Sequence, residues 1–420
     1  MNLLDRPRPA ATSRRVASLR LLSTPLLVLA LLPPPGAAQL PDPVDERWNG
    51  IVSDWGAAVR AEGVVGASLG LVLDGALVSL ETEGMADLER RLPVDEQTIY
   101  HWASITKTFT AVAILQLRDR GLLSLDDPIV DYVPELREVH NPFGSMEEIT
   151  IRHLLSHSAG FRGGTFPFAG GEPWHPHEPT EWSQLVSMMP YTRIHFEPGS
   201  RYSYSNPGIV FLGRAIEKVT GDVFEAYVDK NVFRPLGMRR AYFDVTPWTL
   251  LPHRSNHYFV RGDRPEAGGV DFNTGITVSN GGLNAPIPDM ARYLAFLTGR
   301  PGPDGPTTAD FDAVLARASL EEMWEPVVPI GANPMGAASM GLSFFLYDAG
   351  VGRIVGHTGT QRAFYSFFYV DPASGVGVIA AFNTGSADGT GPDTNALRVG
   401  VSARLVNELF PAVKRAGAGR

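Results

Sequence analysis

The apolar residues of this chain are spaced differently in its middle than towards its two ends. Trp48–Glu62 reads as a helix. Val64–Leu73 and Ala76–Thr82 are apolar, β-rich runs separated by Asp74-Gly75, a hairpin turn signal. Residues 105–117 are almost continuously apolar, with Gly121 just past their end. They predict a helix buried on most sides. From about 125 to 340, helical pieces alternate with Gly/Pro loops. The clearest helix is 207–220: Pro207 suits its first turn, Ile209, Leu212, Ile216 and Val219 share a face, and Gly221 ends it. The Gly-, Pro- and His-rich stretch 162–180 reads as a long surface loop. After 340 come short strand patterns, Gly341–Tyr347, Gly352–His357, Phe364–Val370 and Val376–Phe382. A helix at about 392–410 closes the chain.

Strands at both ends and helices between them predict an α/β chain. Its antiparallel sheet is drawn from N- and C-terminal segments and flanked by helices, with a mainly helical domain inserted. Residues 39–125 and 340–420 would form the sheet domain and 126–339 the insertion. A length of 420 residues fits about two domains.

The first 38 residues have another character. Arg6, Arg8, Arg14, Arg15 and Arg20 stand against the single acid Asp5, followed by the apolar run Leu21–Leu32 and then Gly36-Ala37-Ala38. This is the order of a signal peptide, so an exported, periplasmic or extracellular protein is expected. The apolar run of 12 residues is shorter than the ~20 of a spanning helix. A retained anchor or a transit peptide is the other reading, and Ser13-Arg14-Arg15 weakly suggests a twin-arginine route.

Composition narrows the function. With 36 Lys+Arg against 45 Asp+Glu the net charge is −9, and removal of 1–38 leaves 31 against 44, or −13. That argues against a nucleic-acid partner and against stable insertion in anionic membranes once the leader is gone. The absence of cysteine excludes disulfides, thiolate metal sites and a cysteine nucleophile. No cofactor and no metal are expected. His175-x-His177-Glu178 is too loose, and sits in too polar a loop, to read as a metal site. The sequence carries no signal for oligomeric state.

Gly66-Ala67-Ser68-Leu69-Gly70 matches the G-x-S-x-G nucleophile elbow, which needs a strand, a sharp turn and a helix. Here the motif continues as strand, so Ser68 reads as a strand residue. Ser104-Ile105-Thr106-Lys107 differs, because it opens the buried helix. Residues three apart share a helix face, so the Lys107 amine can reach the Ser104 hydroxyl, and a serine needs such a base to act as nucleophile. The chain has only four lysines, Lys107, Lys218, Lys230 and Lys414. Tyr204-Ser205-Asn206 precedes the 207–220 helix and can point a phenol and an amide into one cleft. His357-Thr358-Gly359 ends an apolar strand and can line a cleft edge. His157, in Leu154-Leu155-Ser156-His157-Ser158-Ala159-Gly160, reads alone as a capping or core histidine. The chance of S-x-x-K, Y-x-N and [HK]-T-G all occurring in this order is roughly one in a thousand.

With these three motifs the chain resembles the serine β-lactamase and penicillin-binding-protein superfamily. Its class C β-lactamase-related branch includes DD-peptidases, D-amino-acid peptidases and esterases. Pro93-Val94, the Leu154–Gly160 run around His157, Phe196-Glu197-Pro198-Gly199, Pro235-Leu236-Gly237-Met238 and Gly281-Gly282-Leu283 support the likeness, which spans about 48–410. The resemblance implies a β-lactamase-like fold and a hydrolase acting on a small ester, amide, D-peptide or β-lactam substrate. It implies Ser104 as acylated nucleophile, Lys107 as proton acceptor and Tyr204 as proton relay. Asn206, His357, Thr358 and Gly359 would bind substrate, and the Ser104 and Thr360 backbone N–H groups would form the oxyanion hole. A non-catalytic binder keeping the fold is the alternative, and covalent labelling of the serine separates the two.

Two departures matter. Most β-lactamases have lysine where this chain has His357. A histidine beside the cationic Lys107 is expected to be mostly neutral, so carboxylate-bearing substrates should gain as pH falls towards 6. The family often has glycine after the third motif, whereas here the run is Gln361-Arg362-Ala363-Phe364-Tyr365. It offers an aromatic wall to bulky apolar acyl groups, with core packing the other role open to Phe364.

Overall fold

In the computed structural model, residues 40–161, 168–169, 172–173, 179–350 and 352–418 are described. The leader and His175, His177 and Glu178 lie outside them. The helix α1 (Asp42–Ala61) begins six residues before Trp48. Pro41 and Pro43 delimit no loop there, because the first turn of a helix needs no proline N–H. The strands β1 (Gly66–Leu73) and β2 (Ala76–Asp87) follow, with Asp74-Gly75 turning between them, then the short β3 (Leu92–Pro93). Further along come α2 (Thr106–Asp119), α3 (Asn206–Thr220) and α4 (Ile287–Thr298). The strands β4 (Val328–Asn333), β5 (Gly336–Met340), β6 (Phe345–Ala349), β7 (Gly352–Gln361), β8 (Phe364–Asp371) and β9 (Val376–Phe382) then run in succession. The helix α5 (Thr394–Arg404) continues through a π-turn into α6 (Phe410–Ala418).

The strands form one nine-stranded sheet in the order β4-β5-β6-β7-β8-β9-β1-β2-β3, with every neighbour antiparallel. The two ends of the chain meet at a single pair, where Ala67 faces Phe382 and Leu73 faces Val376. The sheet drawn from both termini is therefore present.

Its strands read as unbroken apolar runs because both faces are covered. In β9, Val376, Val378, Ala380 and Phe382 pack with Trp48, Ile51 and Trp55 of α1 and with Leu405, Leu409 and Phe410. Ile379 and Ala381 point the other way and join the core that contains α2, α3 and α4. Every residue of α2 from Thr106 to Leu117 is buried, as its apolar run predicts. Among the described residues no helix is long and apolar enough to cross a membrane.

Three expectations change. The strand expected at Gly341–Tyr347 begins only at Phe345, in β6, because the chain turns first, where Gly341 N–H bonds the Phe344 carbonyl and Ser343 takes φ 62°. The sheet's outer hairpin β4–β5 lies before residue 340, in the segment expected to be helical. β7 runs four residues past His357, so the third motif lies inside a strand and not at its end. Ser68 is a buried residue of β1, opposite Ala381 and Thr82, with its hydroxyl 2.9 Å from that of Tyr100. No elbow forms there.

Candidate active site

The residues around Ser104 are fixed from both sides before the helix begins. Trp102 donates its backbone N–H to Leu283 and its indole N–H to the Ala285 carbonyl at 2.9 Å. Ala103 then turns into the left-handed region, at φ 50°, at a cost of about 1–2 kcal/mol for a residue with a Cβ. Ser104 lies in the 3₁₀ turn Ala103–Ile105 that leads into α2, one step before the helix proper. Thr106 ties the turn down by donating its hydroxyl to the Ala103 carbonyl at 2.7 Å.

The spacing of the motif works as expected. Lys107 Nζ donates to Ser104 Oγ at 3.0 Å and to the Asn280 carbonyl at 2.7 Å, and its side chain is fully buried. Its Nζ stands 5.0 Å from the centre of the Tyr204 ring. The Tyr204 hydroxyl shares a hydrogen bond with Ser104, which favours ionisation, but burial outweighs it and holds the phenol above its ordinary pKa. Tyr204 is therefore a neutral proton donor and acceptor at neutral pH. Asn206 opens α3 behind the Ser205 cap, whose hydroxyl accepts the Gly208 N–H at 3.1 Å. The buried Asn206 Oδ1 has no hydrogen-bond partner among the described residues.

β7 closes the other side. A Cβ on Gly359 would collide with the Trp102 carbonyl and the Ser366 hydroxyl, so only glycine lets the strand lie against the Ser104 turn. Thr360 follows, exposed at the strand's cleft end. His357 is 1% exposed and does not face the cleft as a cation. Its Nδ1 lies 2.6 Å from the Thr358 carbonyl, which can only accept, so the ring proton is on Nδ1. Burial, more than the nearby Lys107 charge, pushes its pKa down to about 3. The expected neutrality is present, but its main cause is desolvation. The expected gain for carboxylates near pH 6 does not follow, because the ring stays neutral far below that pH. Phe364 is wholly buried and packs in the core, so no wall of the cleft is built from it.

Two residues at the site carried no sequence signal of their role. Arg398 of α5 donates to the Gly359 carbonyl at 3.0 Å and to Thr360 Oγ1 at 3.2 Å, with Asn395 Oδ1 holding its other nitrogen at 2.6 Å. Its Arg-to-strand contacts span 39 residues or fewer, yet nothing in the helix pattern marks it. His157 is buried, takes φ 54°, and lies with its ring 4.5 Å from that of Tyr204. It is buried, as a core histidine would be, and it also touches the Tyr204 segment directly.

A model of the family described as Beta-lactamase matches residues 51–401. The chain belongs to the beta-lactamase family. With it, the chain is a serine hydrolase whose similar proteins include an esterase. Esterase EstB of Burkholderia gladioli is 29% identical over 377 residues, covering 83% of this chain and 93% of the relative. The octameric penicillin-binding protein homologue of Pyrococcus abyssi superimposes with a TM-score of 0.69 at 28% identity, over 87% of this chain and 78% of that one. The D-amino acid amidase of Ochrobactrum anthropi SV3, at 24% identity and a TM-score of 0.69, covers 89% of this chain and 99% of its own. At that identity it speaks for the fold alone. The β-lactamase-like fold expected from the three motifs is thereby established.

Proposed function

We propose that this family member is an exported serine hydrolase that cleaves ester or amide bonds through an acyl-enzyme on Ser104. The observation that carries the reading is the 3.0 Å contact from the buried Lys107 amine to a serine hydroxyl that also meets Tyr204. In this reading Lys107 acts as the neutral amine: Ser104 Oγ attacks the substrate carbonyl carbon and its proton passes to the Lys107 Nζ lone pair. The oxyanion is held by the Ser104 and Thr360 N–H groups, an interaction worth about 3–4 kcal/mol in comparable sites. Tyr204 relays the proton to the departing alcohol or amine, and then helps deprotonate the water that releases the acid. Asn206 holds the acyl side of the substrate, and Thr358 and Gly359 form its edge.

The neutral, buried His357 favours neutral esters over substrates that need a cation to anchor a carboxylate. The extent of the likeness to an esterase supports the same preference. A fluorescent fluorophosphonate should label the wild type and Ser68→Ala, but not Ser104→Ala. A screen of p-nitrophenyl esters, D-amino-acid amides and nitrocefin should give its highest kcat/KM with the esters. Label on Ser68, or none, would overturn the acyl-enzyme. Export is supported by the arginine-rich, apolar, small-residue leader. It predicts a mature N-terminus near Gln39, and an intact Met1 on cytosolic protein would refute it.

A further inference from the structure

His157 lies 47 residues before Tyr204 in the chain, yet grips the same short segment at two points. Its carbonyl accepts the Ser203 N–H at 2.8 Å and its Nδ1 accepts the Ser205 N–H at 3.1 Å. Between these two bonds stands Tyr204, whose ring lies at 33° to the imidazole. The grip needs a specific form of the ring. A backbone N–H can only donate, so Nδ1 must carry a lone pair, which places the proton on Nε2. The ring is also held neutral: burial first, then the nearby Lys107 charge, keep it well below its ordinary pKa. The backbone of His157 is bent to the task, with a left-handed φ of 54° that only the surrounding bonds sustain.

We propose that His157 is a positioning residue that sets the Tyr204 hydroxyl against Ser104 by clamping the backbone on both sides of the tyrosine. The inference rests on the acyl-enzyme reading of Ser104 and Tyr204. It assigns His157 no contact with substrate. Its effect passes through the phenol, which must stay within hydrogen-bond reach of a serine hydroxyl that Lys107 also holds. A displacement of Tyr204 by ~1 Å is enough to reduce turnover by about 100-fold.

Three substitutions of His157, one of them repeated in a Tyr204→Phe background, test this. His157→Phe keeps a ring beside Tyr204 but has no acceptor. His157→Asn places its amide oxygen close to the Nδ1 position and tolerates a left-handed backbone better than most residues. His157→Gln carries its oxygen one bond too far. The expected result is a kcat lowered by about 100-fold in His157→Phe and His157→Gln with little change in KM, and recovery to within about tenfold in His157→Asn. In a Tyr204→Phe background, His157→Phe should cost nothing further, because both changes remove one relay. Fluorophosphonate should still label Ser104 in every variant. If His157→Phe does not fold, the comparison of Asn with Gln decides. Equal activity of the Asn and Gln variants, or losses that multiply with Tyr204→Phe, would overturn the proposal while leaving the acyl-enzyme standing. A wild type without label on Ser104 would remove both.

Discussion

Gly359→Ala adds a single methyl group at the point where β7 meets the Ser104 turn. The new Cβ would stand 3.1 Å from the Trp102 carbonyl carbon, and nearer still to its oxygen and to Ser366 Oγ, inside the 3.0 Å that real Cβ atoms keep. Neither neighbour can step aside. The Trp102 carbonyl belongs to the backbone and accepts the Ser366 hydroxyl at 3.2 Å, while the indole N–H is bonded to Ala285. The strand must withdraw by close to ~1 Å, and with it the Thr360 N–H, from a site where such a shift costs about 100-fold in rate. Overpacking a buried contact of this kind costs about 1–3 kcal/mol in stability, less than would unfold a domain this size. The assay is kcat/KM on a p-nitrophenyl ester, with active sites counted by the fluorophosphonate burst and folding followed by thermal melting. The expected result is a near 100-fold fall in kcat/KM per labelled site, with a melting temperature a few degrees lower. Activity within threefold of wild type, in a protein of unchanged stability, would refute the argument that this approach sets the catalytic geometry.

Because His357 titrates near pH 3, the ratio of kcat/KM for anionic and neutral esters should stay flat from pH 5.5 to 9, and a rise towards pH 6 would contradict the buried ring. His101, His257 and His357 have folded pKa values depressed to about 4, 4 and 3, chiefly by burial. The stability they contribute is complete above the unfolded value of about 6.5 and lost as pH falls from there towards 4, at ~1.4 kcal/mol per unit for each ring. Urea midpoints should therefore drop between pH 7 and 5, and a flat profile would refute this. Ser68→Ala should leave kcat unchanged but destabilise by about 1–3 kcal/mol, since it strips the partner from the buried Tyr100 hydroxyl; equal urea midpoints would count against it.

The parts of the molecule legible in the sequence are those whose signal is local. Ser104 and Lys107 sit one helical turn apart, so their spacing alone places the amine on the hydroxyl. α3 declares itself through Pro207, its apolar face and Gly221, which takes φ 77° at the helix end. The outer hairpin β4–β5 was not legible: most of Val328–Asn333 is exposed, so the strand carries no alternation to read. His157 was not legible because its partner is the Ser205 N–H, 48 residues away, and a backbone donor leaves no trace in side-chain identity. The extent of β7 escapes the sequence pattern because Thr358, Gly359 and Thr360 have the composition of a turn. Their strand conformation comes from pairing with Phe367, Ser366 and Tyr365 of β8.

The meeting of β1 with β9 also governs when the protein can fold. Gly66–Leu73 is made well before Val376–Phe382, so β1, an interior strand of the sheet, waits for a neighbour about 300 residues downstream. Contacts this remote in sequence form slowly, because a long loop must close before any pairing offsets its entropy. A nascent chain stopped before Val376 has β1 and β2 with an open edge, and no β7 or β8 finished against a central partner. The sheet, and the Ser104 turn that β7 presses into place, are late events of assembly. A chain that lacks β9 therefore cannot complete the surroundings of Ser104, so activity depends on the whole span from β1 to β9.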